Sequence, residues 1–151
     1  MFRRLALLTV GVVTTAFTAC QGQQFPMVPV EGVVLKDGKP LDNVKVEFHP
    51  DRESGVVGPR SIGLTDASGR FRLQTDAGDD GAVVGTHRVI LVDVDYLERT
   101  APIPADHPIK LKHKDKGPLV KRIKDDCSEY YRTPLRQEAK KPNSTVTIEI
   151  K

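Results

Sequence analysis

The chain has 151 residues, with 23 Lys or Arg against 20 Asp or Glu, a formal net charge of +3. That length supplies one domain's worth of core, and so small a positive excess excludes an electrostatic nucleic-acid binder. With 38% hydrophobic residues, five Phe, three Tyr and no Trp, the composition is that of an ordinary soluble domain.

Met1 to Cys20 reads MFRRLALLTVGVVTTAFTAC: two arginines, an apolar run from Leu5 to Phe17, then Thr18 and Ala19 before a cysteine. A helix over that run rises only about 20 Å against a hydrocarbon core of about 30 Å, so residues 1–19 read as an export signal. Small residues followed by Cys20 resemble the lipobox of bacterial lipoproteins, with Phe17 where Leu is usual. The resemblance implies a diacylated Cys20 thiol, cleavage before it, and a further fatty acyl group such as palmitate on the new N-terminus. Each buried methylene then contributes about 0.8 kcal/mol to membrane attachment. The alternative is an ordinary signal peptide cut after Ala19, with no lipid added.

If Cys20 carries lipid, Cys127 is the one remaining thiol, and no intramolecular disulfide can form in the exported protein. Removing Arg3 and Arg4 with the signal leaves 21 basic and 20 acidic residues. Residues 20–29 follow as a tether, since Gln21 to Pro29 is polar, carries two prolines and shows no period.

From residue 30 to 151 the pattern is mostly period two. Val30, Gly32 and Val34 share one face of a first strand, followed by a turn at Lys36 to Pro40. Asn43 to His49 alternates cleanly, with Val44, Val46 and Phe48 inward and Lys45 and Glu47 outward. Pro50 to Pro59 reads as a loop. Arg60 to Thr65 and Arg70 to Thr75 flank Asp66-Ala67-Ser68-Gly69 and read as a hairpin with Phe71 and Leu73 buried. Gly85 to Val94 is the longest strand, with His87, Val89 and Leu91 on one side and Arg88, Ile90 and Val92 on the other. That second face is apolar enough to need a cover. Leu135 to Ala139 and Ser144 to Ile150 complete seven strands, the last with Val146, Ile148 and Ile150 inward. Short turns and the lack of a helical period predict an all-β, antiparallel sandwich.

Leu97 to Ser128 interrupts this pattern as a long insert, and loops beyond about 12 to 15 residues usually carry function or disorder. Ile109 to Lys124 holds seven cations, Lys110, Lys112, Lys114, Lys116, Lys121, Arg122 and Lys124, against the single acid Asp115. Near an anionic lipid or polymer surface each cation contributes about 1 kcal/mol, so the insert is a candidate anionic-surface contact; a solubilising loop tip is the alternative.

A metal reading of His107, His113, Asp106, Asp115 and Cys127 is outweighed by solvated loop residues, because HPIKLKH is not a ligand spacing. Asp76 to Gly81 lacks the third-position ligand and closing Glu of a calcium loop, which leaves an acidic turn. His87 reads as a hydrogen-bonded strand residue rather than a base. Asn143-Ser144-Thr145 matches a glycosylation acceptor but reads as the turn before the last strand. No G-x-S-x-G, H-E-x-x-H or P-loop is present, so neither an enzyme nor a cofactor is expected.

Several strings in order carry a further likeness: PVEGVVLKDGKPLDNVKVEFHP, GLTDASGRFRLQT and GAVVGTHRVILV. They resemble the carboxypeptidase regulatory-like family, nearest to short bacterial lipoproteins built from one such domain. Its motif positions fall on Val30, Gly32 and Val34, on Asp37, Gly38, Pro40 and Leu41, on Phe48 and Pro50, on Thr65, Asp66, Gly69, Phe71 and Leu73, and on Gly81, Gly85, His87 and Val89. His87 replaces the usual aromatic, and the basic insert has no counterpart in the pattern. The resemblance implies a transthyretin-like (prealbumin-like) Greek-key sandwich and transfers no catalytic residues. It points to a non-catalytic lipoprotein of the cell envelope, at the outer membrane or cell surface, binding a protein or glycan. The alternatives are an accessory subunit of a separate envelope enzyme, or a metal or ligand carrier working through residues 106–127.

Overall fold

A computed structural model describes residues 24–101 and 117–151. In chain order the strands are β1 (Met27–Val28), β2 (Val30–Lys36), β3 (Lys39–Pro40), β4 (Val44–Pro50), β5 (Ser61–Leu64), β6 (Arg70–Arg72), β7 (Gln74–Thr75), β8 (Ala82–Val83), β9 (Gly85–Asp93), β10 (Arg136–Ala139) and β11 (Ser144–Ile150). Two short helices, α1 (Val94–Thr100) and α2 (Asp125–Ser128), lie between β9 and β10, and a 3-10 turn occupies Arg52–Ser54. The seven expected strands thus become eleven segments among the described residues, and the protein is all-β with little helix.

One sheet has the order β10-β9-β4-β5-β7, the other β11-β2-β3 with β6 also on β2, and β1 pairs β8. Their inner faces share one core. Val44, Val46, Phe48, Val89 and Leu91 come from the first sheet, and Val30, Val34, Phe71, Val146 and Ile148 from the second. The Phe48 and Phe71 rings meet across it at 6.4 Å. The inward residues of β2, β4 and β11 are those that strict alternation selects.

Four expectations are corrected. Arg70 to Thr75 is not one arm of a hairpin: β6 pairs β2, and only β7 pairs β5. The chain changes sheets at Leu73, whose fully buried side chain sits where both layers meet. The sandwich is not wholly antiparallel either, because β11 pairs β2 in parallel. Residues 140–143 cross between sheets at the end where β2 begins, so β11 has to run away from that end, as β2 does. A distant pair needs no hairpin, which leaves parallel pairing open.

The long strand stops at Asp93 rather than Val94, and a helix opens where only loop is expected. Asp93 is its N-cap, accepting from the Tyr96 backbone N–H at 3.3 Å, and Asp95 and Arg99 complement the helix ends. Ordered pairing also reaches back into the stretch read as tether: Val28 is buried, and the Val84 N–H donates to the Pro26 carbonyl at 2.8 Å.

Candidate functional site

Strand direction gives the domain two poles. β9 starts at Gly85 and ends at Asp93, β4 runs the opposite way, and β2 leads from Val30 to Lys36. The first described residues therefore lie at the Gly85 end, whereas Asp93, Lys36 and the chain end lie at the other. Nine residues of β9 separate the poles by about 26 Å.

At the Asp93 pole the insert leaves and returns through a clamp. The Arg122 guanidinium donates to both Asp93 carboxylate oxygens, at 2.8 and 2.5 Å, and to Asp42 at 3.0 Å, with Asp95 at 3.7 Å. Its backbone carbonyl accepts from Lys36 Nζ at 2.8 Å. Arg99 on α1 donates to the Gly117 carbonyl at 2.9 Å, bridging the two ends of residues 102–116. Burial opposes ionisation of Asp93, but the hydrogen bonds from Arg122 and the Tyr96 N–H prevail and hold its carboxyl below the ordinary range. Arg122, expected as a surface contact, is thus a structural staple.

The other predicted cations divide. Lys121 pairs with Asp125, four residues on, and lies 5.6 Å from the Tyr96 ring centroid. Lys124 is exposed at the start of α2. Together with Lys36, Arg132 and Lys151 these side chains line an open cleft of about 500 Å³ beside Asp125 and Asp126. Arg132 is itself paired with Asp126 and Glu129. Cys20, Lys110, Lys112, Lys114 and Lys116 lie outside the described residues, as do His107, His113, Asp106 and Asp115. Sequence reasoning missed that Leu97, Leu119 and Val120 are exposed at this pole, an apolar rim beside the cations.

The outer face of β9 receives its expected cover from residues 128–135. The Tyr130 ring stacks 5.2 Å from the Arg88 guanidinium and meets His49 edge-on at 5.5 Å. Arg88 is buried and bonds Asp51 at 3.3 Å and Glu53 at 2.5 Å. Beside it Glu47 takes Lys45 at 2.7 Å and His49 at 2.9 Å. The hydrogen bond from His49, reinforced by Lys45 and opposed by burial, brings the Glu47 carboxyl down to about 2. Thr133 Oγ1 and Ser128 Oγ donate to the Val89 and Leu91 carbonyls at 2.6 and 3.0 Å, so the stretch of β9 that β10 leaves unpaired is closed. Tyr131 stands perpendicular to Tyr130 and is 88% exposed, bordering a cleft of about 410 Å³ with Arg52 and Arg60. The Tyr130-Tyr131 doublet, following a strand with Arg88 on an apolar face, was the available signal for this cluster.

His87 is fully buried against Phe48, with its Nδ1 donating to the Gly85 carbonyl at 2.9 Å. Burial lowers its pKa and keeps the ring neutral, in keeping with a strand residue. Cys127 is buried in the core, and desolvation pushes its thiol pKa up. Among the described residues, three or more His, Cys, Asp or Glu nowhere gather into a metal-binding group, and no helix is long and apolar enough to cross a membrane.

Comparison with protein-family models, curated proteins and solved structures finds no match.

Proposed function

We propose that the chain is a non-catalytic lipoprotein of the cell envelope, anchored through acyl groups on Cys20. Its transthyretin-like domain meets an anionic envelope partner through the pole that carries the insert. The observation behind this reading is the clamped base of the insert. Arg122 binds Asp93, Asp42 and Asp95, so the described residues flanking the basic segment form a tied platform that also exposes Leu97, Leu119 and Val120. Apolar side chains beside cations suit a charged surface that also offers some apolar area.

The test anchors the full chain in zwitterionic vesicles and adds phosphatidylglycerol vesicles, following their capture by light scattering. Charge reversal at Lys110, Lys112, Lys114, Lys121 and Lys124 should abolish capture; Arg122 is left intact because its loss strikes the fold. Absent or unaltered capture removes the anionic partner. Mass spectrometry of the mature N-terminus tests the anchor separately, and an unmodified Cys20 removes it.

A further inference from the structure

The tether enters the domain at the pole opposite the insert. β1 pairs β8 immediately before β9, and a Cβ on Gly58 would stand 3.2 Å from the Phe25 ring, so Phe25 lies against the 51–60 loop. From Cys20 to Phe25 an extended chain reaches at most about 17 Å. An acylated Cys20 therefore keeps this pole close to the bilayer, whatever the tilt of the domain.

This pole also carries suitable chemistry. Val57 is 57% exposed on the loop that Phe25 touches, and Tyr131 projects from the neighbouring cleft, which Gly58 also lines. Tyrosine favours the boundary between headgroups and hydrocarbon, where its ring and hydroxyl find different surroundings. Charge does not decide the contact, because Arg52, Lys140 and Lys141 share the pole with Glu53, Asp79 and Asp80.

We propose that the Phe25 pole rests on the headgroup layer of the bilayer holding Cys20, with Val57 and Tyr131 as contact residues and the Asp93 pole facing away. The proposal rests on acylation of Cys20. Its consequence is a domain that stands upright on its own anchor.

The absence of Trp allows a single introduced Trp to be the sole indole reporter. The acylated full chain, as Val57→Trp or as the distal control Val120→Trp, is reconstituted in phosphatidylcholine vesicles with or without brominated acyl chains. Bromine quenches an indole near the headgroup boundary, so Val57→Trp should lose about half of its emission or more, while Val120→Trp stays unchanged. Adding Tyr131→Ser to Val57→Trp should restore emission. Two unquenched reporters would mean a domain that stands free of the surface, and equal quenching one that lies flat; either overturns the proposal. Mass spectrometry of the same preparation separates the two readings. With Cys20 acylated, failure belongs to docking alone, whereas an unmodified Cys20 overturns anchor and docking together.

Discussion

Removing the Arg122 side chain is the sharpest probe of how the insert is held. Arg122→Ala deletes two charge-assisted hydrogen bonds to Asp93, one to Asp42 and the ion pair with Asp95. The Asp93 carboxylate, only 5% exposed, is left with the backbone N–H groups of Tyr96 and residue 122. Breaking a buried ion pair costs about 3–5 kcal/mol; because the Arg122 side chain is 23% exposed and Asp93 keeps its two backbone donors, about 2–3 kcal/mol is expected here. For a domain of this size that lowers Tm by about 8–12 °C.

The pH dependence of the loss carries a definite sign. In the parent chain Asp93 titrates below its ordinary value, so its contribution is full above the unfolded pKa and fades as pH falls through the folded one. Without the Arg122 side chain that depression is relieved, so the variant loses less stability than the parent as pH falls. The deficit measured by urea unfolding at neutral pH should therefore shrink in mild acid, and Asp93→Asn combined with Arg122→Ala should cost less than the two single losses added. A deficit below about 0.5 kcal/mol, or one that does not change with pH, would refute the clamp.

Four other outcomes follow. Glu47→Gln should destabilise the chain by about 2–3 kcal/mol above pH 4.5, the ordinary value for this carboxyl, since the folded group titrates near 2; in unfolding titrations the difference should vanish as pH approaches 2. Gly32→Ala places a Cβ 2.5 Å from the Val146 carbonyl and 2.6 Å from the Phe71 ring, and should lower stability by about 1–3 kcal/mol in urea melts. Thr133→Val keeps the shape but orphans the buried Val89 carbonyl, costing about 1–3 kcal/mol and speeding amide exchange in β9. With Cys127 buried, a Lys151→Cys dye is the single label on the acylated chain; its energy transfer to bilayer acceptors should place it about 26 Å or more above the surface, unchanged when the tether is lengthened.

Strand positions are readable where apolar and polar residues alternate, as Val44, Val46 and Phe48 do against Lys45 and Glu47, although Glu47, expected outward into solvent, is buried under its partners Lys45 and His49. Strand partners are not readable, since alternation says which face is buried and nothing about which edge is paired. The split at Leu73 and the parallel β2–β11 pair are both decisions of pairing. α1 escaped notice because Val94–Thr100 is too short for a helical period and buries no residue; its signal is Asp93 as a cap, in a position that also reads as strand. Arg122 misled for a similar reason. In a run of cations its own identity is unremarkable, and its three aspartate partners are 27 to 80 residues away in sequence, visible only once β9 and the β3–β4 turn converge.

Where the insert leaves and rejoins the domain is decided by the scaffold rather than by its own residues. β9 begins beside the tether, so any segment added after it emerges at the distal pole, while an equal addition after β4 or β10 would emerge beside the tether. The connection after β4 is also held down: Asp51 bonds Arg88, caps the 3-10 turn through the Glu53 N–H and accepts from Ser54. Burial works against ionisation of Asp51, and the hydrogen bond from Arg88 overrides it, keeping the carboxylate charged and the loop close to the sheet. At the distal pole the corresponding work falls to Arg122, which secures the base of the longer connection. A loop tied to the sheet at the Gly85 pole and a clamped pair of chain segments at the Asp93 pole therefore follow from strand polarity together with two carboxylate–arginine pairs, Asp51–Arg88 and Asp93–Arg122.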